Sequence, residues 1–118
     1  MIKSLSVILP TLDEEENLKT LIPNIQNLLQ KKLIKEYEIL VIDDGSTDNS
    51  ENLVKQFDTK VTFFKRTEKN SLPMSIGDGV KLSKFKNVMW LDADGSMNIS
   101  AIESLLDKFS ENIDSVII

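Results

Sequence analysis

Apolar residues along this chain fall into two alternating rhythms. Short, nearly continuous apolar runs occur at Ser4–Pro10 (SLSVILP), Tyr37–Ile42 (YEILVI), Val61–Phe64 and Val88–Leu91. Runs of that length, rich in β-branched residues and bounded by turn formers, predict strands buried on both faces. Between them the apolar positions open to helical spacing. Leu18, Leu21, Ile22, Ile25, Leu28 and Leu29 share one face of a long first helix. Leu53, Val54 and Phe57 mark a second helix, and Ile102, Leu105, Leu106 and Phe109 a fourth. A third, weaker helix from about Met74 to Ser83 carries Ile76 and Val80, with Gly77 and Gly79 lowering its propensity. Ser115–Ile118 (SVII) opens a fifth strand.

Boundary residues sharpen this outline. Pro10 closes the first strand, and Asp13 with Glu16 forms a capping-box variant at the start of the first helix. Pro23 removes a backbone donor inside that helix and predicts a kink. Thr47 or Asp48 is the expected cap of the second helix, and Ser100 with Glu103 that of the fourth. Residues 65–73 (KRTEKNSLP) are polar, end in proline and read as a loop. Strands alternating with helices in this way predict an α/β fold: a doubly wound, mainly parallel sheet of about five strands and four helices.

Composition narrows the chemistry. The chain has 118 residues, the size of one domain, and 14 basic against 19 acidic side chains leave a net charge of −5. That balance, with no basic tract, argues against nonspecific binding to nucleic acid. The absence of Cys and His excludes disulfides, thiol nucleophiles, Ser-His triads and His-ligated zinc. Any metal must be held by oxygen, which favours Mg²⁺, Mn²⁺ or Ca²⁺. No signal peptide precedes the first strand and no stretch is long enough to cross a bilayer, so a soluble, cytoplasmic chain is expected. The sequence stops on an apolar strand, which suggests a truncated domain.

Parallel sheets bind ligands at the carboxyl ends of their strands. Acidic residues gather there: Asp13-Glu14 after the first strand, Asp43-Asp44 after the second, Asp92-Ala93-Asp94-Gly95 after the fourth. Acids crowded on one rim repel each other unless a cation or a donor-rich ligand sits among them. Capping and turn formation are the plainer readings for each cluster. Two adjacent acids after a hydrophobic strand nevertheless exceed what a cap needs. Trp90, inside a strand, reads as core rather than as a stacking platform.

Three of these stretches resemble a known family. VILPTLDEEENL is similar to the opening motif of family-2 glycosyltransferases, VIDDGSTDNS to their second motif, and WLDADGSM to their metal-binding D-x-D. The polyprenyl-phosphate sugar transferases of the dolichyl-phosphate mannosyltransferase kind are the subgroup most resembled. The resemblance implies the nucleotide-diphosphosugar transferase fold, Rossmann-like, with this chain supplying its nucleotide-sugar-binding half. It implies that Pro10, Thr11, Leu12 and Glu14 line a nucleotide pocket. Asp44, with Asp43, would accept from a ring nitrogen of the base. Asp92 would meet the ribose or a metal-bound water, and Asp94 would ligate Mg²⁺ or Mn²⁺ bridging the diphosphate. Arg66 and Lys69 are loop cations with two readings, simple solvation, the commoner case, or contact with phosphate. The implied donor is a UDP- or GDP-sugar, and the implied acceptor a lipid phosphate or other glycan. The acceptor half and the catalytic base are expected outside these residues, so the isolated chain is expected to be inactive and prone to self-association through uncovered apolar surface.

The chain departs from the family pattern in three places. Leu12 stands where the family has Tyr and Asp13 where it has Asn, and Asn70–Met74 lacks the glycines of the family's N-x-G-x-G-x-A stretch. Two other readings remain: a nucleotide-binding or interaction module without turnover, and a receiver domain. Receivers place their acid pair after the first strand and a Lys after the fifth, which this chain does not.

Overall fold

The computed structural model describes residues 2–67, 71–96, 98–108 and 116–117. Five strands and four helices alternate: β1 (Ser4–Thr11), α1 (Glu15–Lys31), β2 (Glu36–Asp43), α2 (Ser50–Val54), β3 (Val61–Lys65), α3 (Leu72–Leu82), β4 (Asn87–Trp90), α4 (Ile99–Lys108) and β5 (Val116–Ile117). They form one parallel sheet in the order β3-β2-β1-β4-β5. The chain therefore works outward from β1 to β3, then returns past β1 to add β4. That reversal leaves a crevice where the ends of β1, β2 and β4 diverge, the position at which such sheets take ligands.

The central strands explain why their sequences are apolar almost throughout. Every residue of β1 after Ser4 and of β2 after Glu36 is buried, because helices cover both faces. On one face Val7, Leu9, Ile39, Val41 and Met89 pack against the α1 stripe and against Val54, Ile102 and Leu106 of α2 and α4. On the other, Ile8, Leu40, Ile42 and Val88 form a smaller cluster with Phe64 and Trp90, so Trp90 packs as part of the core. Here α3 makes the cover. A methyl group on Gly79 would sit 2.6 Å from Cγ2 of Ile8, so the glycine that weakens α3 as a helix is what lets it approach the sheet.

Several boundaries differ from expectation. α3 begins at Leu72 rather than near Met74: Ser71 is its N-cap, accepting from the Met74 amide at 3.4 Å, and Pro73 falls in the first turn, where its missing donor costs nothing. As its apolar stripe predicts, α1 runs through Pro23 as one helix. Asp13 does not cap α1. It lies outside the helix at φ 55° and its Oδ1 accepts from the amides of Thr47 (2.7 Å) and Asp48 (3.3 Å), tying the β1–α1 turn to the loop after β2. Asp48 returns the contact, its Oδ2 accepting from the Glu15 amide at 3.1 Å. Asn49 occupies the N-cap of α2, without a side-chain cap. At α4, Asn98 accepts from the Ala101 amide at 2.7 Å in place of Ser100. Glu103 pairs instead with Lys31 (3.2 Å) and Lys32 (2.9 Å) of α1. Lys69, Asn70, Phe109, Ser115 and Ile118 lie outside the described residues.

Candidate functional site

A cleft of about 370 Å³ opens at the carboxyl ends of the central strands, within the range of small-molecule sites. It is lined by Pro10, Thr11, Leu12, Glu14, Asp44, Ser71, Leu72, Ser75, Asp92, Ala93 and Asp94. Seven of the ten residues singled out from sequence therefore meet in one place; Asp43 and Arg66 do not line it, and Lys69 lies outside the described residues. They arrive from three strand ends and the loops that follow, which lie far apart in the chain.

β1 supplies the middle of the floor. Thr11 pairs in register with Asp43 of β2, and beyond it Leu12 stands 45% exposed, an apolar surface facing the cleft. Glu14 is oriented by Asn17, whose Nδ2 donates to Glu14 Oε2 at 2.7 Å. Asn17 also borders the turn after β4: a methyl on Gly95 would lie 3.3 Å from Asn17 Oδ1. Asn17 thus stands between Glu14 and the turn after β4.

Asp43 and Asp44 part company. Asp43 is 1% exposed and lies beneath the cleft rather than in it. Its Oδ1 accepts from Thr11 Oγ1 at 3.1 Å and from Ser46 Oγ, and its Oδ2 from the amides of Gly45 (3.1 Å) and Ser46 (2.9 Å). The Gly45 and Ser46 bonds close the turn, with Gly45 at φ 109°, and the Thr11 bond ties it to β1. Asp44 faces the cleft. Its Oδ1 accepts from Arg66 Nη1 at 2.5 Å and its Oδ2 from the Ser71 amide at 2.8 Å, which joins the end of β2 to the cap of α3.

Arg66 is neither a cleft residue nor a solvated loop cation. Its side chain is 4% exposed and lies between Asp44 and Asp78, with Nε donating to Asp78 Oδ2 at 2.9 Å. The Asp78 carboxylate first, and then Asp44, stabilise the guanidinium charge and raise its pKa. Arg66 borders a separate hollow with Phe64, Lys65, Met74 and Lys81.

Asp92 and Asp94 are exposed on either side of buried Ala93. Leu91 still pairs with β1, its amide donating to the Ile8 carbonyl at 3.0 Å, so the two acids project just past the end of the ladder. Gly95 turns the chain at φ 85°, and the Ser96 amide donates to Asp94 Oδ1 at 2.9 Å. The Ser96 hydroxyl and then its amide hold the Asp94 carboxyl below the usual carboxylate range, so it stays ionised at neutral pH. Among the described residues no three acidic side chains converge tightly enough to hold a metal by themselves. Two ionised carboxylates suit Mg²⁺ or Mn²⁺ when a phosphate ligand completes the shell.

Sequence reasoning missed the α3 contribution: Ser71, Leu72 and Ser75. A Ser two residues before Pro is the available signal, a cap followed by a first-turn proline. In this chain it was absorbed into the polar stretch before it.

The model of glycosyl transferase family 2 matches residues 6–118. Poly(ribitol-phosphate) beta-N-acetylglucosaminyltransferase TarP of Staphylococcus aureus (strain N315) is 37% identical over 98% of this chain and 36% of its own length. Dolichol-phosphate mannosyltransferase of Pyrococcus furiosus is 32% identical over 95% of this chain and 32% of its own. The crystal structure of S. aureus TarS 1-349 superposes with a TM-score of 0.71 at 22% identity, covering 88% of this chain and 31% of that one, which shows a shared fold. The chain spans about a third of the length of these relatives. With a family match over nearly all of its residues, the chain belongs to glycosyl transferase family 2.

Proposed function

We propose that this cleft binds the nucleotide of a nucleotide diphosphosugar, and that the intact enzyme transfers the sugar to a phosphate-bearing acceptor. The observation that carries the reading is the convergence of Pro10, Thr11, Leu12, Glu14, Asp44, Asp92 and Asp94 on one cleft. Family membership supports it. Pro10, Thr11, Leu12 and Glu14 form the wall against the nucleoside. Asp44 accepts a ring N–H of the base, and Asp92 takes the ribose or a metal-bound water. Asp43 acts beneath the site by fixing the turn from which Asp44 projects.

Asp94, with Asp92 beside it, is the place for Mg²⁺ or Mn²⁺. The donor set fits: two exposed carboxylates, one of them held ionised by Ser96, in a chain with no His or Cys to compete. Held by Asp94 and Asp92, a divalent ion would supply charge neutralisation for the departing nucleoside diphosphate. The protein's own part is to hold the donor in the cleft and aim its diphosphate at the β4 turn. The names of both relatives carry a phosphate-bearing acceptor, a poly(ribitol-phosphate) for TarP and a dolichol-phosphate for the Pyrococcus enzyme. That supports a lipid phosphate or a phosphate-bearing glycan here. Among the described residues no helix is long and apolar enough to cross a membrane.

A thermal-shift panel of UDP, GDP, CDP and TDP, with and without Mn²⁺, tests the binding half of this reading. A ligand at a hundred times its dissociation constant adds about 2.7 kcal/mol. In a domain of this size that raises Tm by roughly 10 °C. The expected result is a Mn²⁺-dependent rise that Asp94→Ala abolishes. A flat panel, or a rise indifferent to both Mn²⁺ and Asp94, contradicts the assignment.

A further inference from the structure

Ser75 sits in the first turn of α3, is 1% exposed and contributes to the floor of the cleft beside Asp44. Its Oγ is a buried side-chain polar atom with no hydrogen-bond partner. Buried hydroxyls are nearly always paired, and one left orphaned at a ligand cleft calls for a reason. Its place is fixed through a short relay. The Ser71 amide donates to Asp44 Oδ2 at 2.8 Å, and the Ser75 amide donates to the Ser71 carbonyl at 3.0 Å.

The sheet order sets what can lie there. Asp44 follows β2 and Asp94 follows β4, with β1 between them, so the two ends of the cleft are about 10 Å apart, two strand spacings. On the proposed reading, on which this inference rests, the diphosphate occupies the β4 end and the base the β2 end. A phosphate is disfavoured beside Asp44 by charge, whereas a base edge offering an N–H is welcome. Arg66 and Ser71 occupy one site on each Asp44 oxygen, and a carboxylate has about four.

We propose that Ser75 is a specificity-determining residue: its hydroxyl donates to the base carbonyl next to the ring N–H that Asp44 accepts. Uracil and thymine present that pair at N3–H and O4, guanine at N1–H and O6. Cytosine and adenine present an unprotonated ring nitrogen, which repels the Asp44 carboxylate. The hydroxyl reaches the edge by rotation about χ1 between staggered wells. If Ser75 served only as a small residue under α3, alanine would do equally well.

The test is calorimetric titration of the 118-residue chain and its Ser75→Ala variant with UDP, GDP, CDP and ADP in Mn²⁺. The native chain should bind UDP or GDP in preference to CDP and ADP. Ser75→Ala should weaken the preferred nucleotide about five- to tenfold, the value of one neutral hydrogen bond. Affinity for CDP should be unchanged, and the ligand-free Tm equal or slightly higher. Unchanged affinity for the preferred nucleotide in Ser75→Ala overturns this inference and leaves the cleft assignment standing. A native preference for CDP or ADP overturns it together with the Asp44 role, and leaves standing only the cleft as a nucleotide site. No binding of any nucleotide by the native chain overturns both.

Discussion

Two acidic turns, built from nearly the same residues, have opposite fates in this molecule. Asp43-Asp44-Gly45-Ser46 follows β2, and Asp92-Ala93-Asp94-Gly95-Ser96 follows β4. Each uses a glycine at positive φ, and in each an Asp oxygen accepts from the amide of the following Ser. After β2 Asp43 turns inward, while Asp44 keeps a face to the cleft. Asp43 accepts from four donors of its own chain, and Asp44 is held by Arg66 and Ser71. After β4 both acids stand outward, and among the described residues Asp94 accepts only from its own turn. The difference teaches how to separate acids that hold a fold from acids that await a ligand. What decides is how much hydrogen-bonding capacity the chain itself has already used.

The sharpest way to break this comparison is Asp94→Ala. Removing a candidate metal ligand should cost more than the tenfold to hundredfold typical of supporting residues around metal sites. Metal-dependent nucleotide affinity should fall by at least about a hundredfold in calorimetry, while Tm without ligand moves by no more than about 2 °C. Asp43→Ala should do the reverse, lowering stability by about 2–3 kcal/mol as its donors lose their acceptor. Urea titration reads that directly.

The two glycines give a smaller, matched pair. Gly45→Ala and Gly95→Ala each force a Cβ into left-handed backbone, at a cost of about 1–2 kcal/mol. Only Gly95→Ala, where the new methyl also presses on Asn17 beside Glu14, should weaken metal-dependent nucleotide binding several-fold. Equal effects of the two on binding would erase the distinction drawn here.

The smallest effect is on pH. Asp94 has its pKa lowered by the Ser96 hydroxyl and amide, so its charge is present throughout neutral and mildly acidic solution. Metal-dependent binding should be lost only as pH falls through that lowered value. Ser96→Ala removes the hydroxyl donor and should move the loss to higher pH, toward the ordinary Asp value of about 3.9. A midpoint that moves down or stays fixed in Ser96→Ala counts against the assignment.

The parts of this account legible in sequence are those set by local pattern. Strand runs of unbroken apolar residues gave the doubly wound sheet, because burial on both faces leaves no polar positions. The α1 stripe, from Leu18 to Leu29, is buried as its spacing implies. Contacts between distant loops were not legible. Asp13 looks like a cap by position, yet its partners are Thr47 and Asp48, more than thirty residues away. Asp43 and Asp44 are indistinguishable as letters, and only the register of β2 against β1 puts the first beneath Thr11 and the second in the cleft. Arg66 reads as a loop cation because Asp78, which pairs with it, lies twelve residues on, within α3. Gly79 reads as a helix weakness because Ile8, the reason for it, is on another strand.

The most direct test is to measure Asp43→Ala and Asp94→Ala side by side, recording for each the urea stability and the Mn²⁺-dependent affinity for the preferred nucleotide. The expected result is crossed: Asp43→Ala loses stability while its folded fraction loses far less affinity than Asp94→Ala, and Asp94→Ala loses affinity with its stability intact. Two variants that lose stability alike, or an Asp94→Ala chain that binds nucleotide and metal as the native one does, would contradict it.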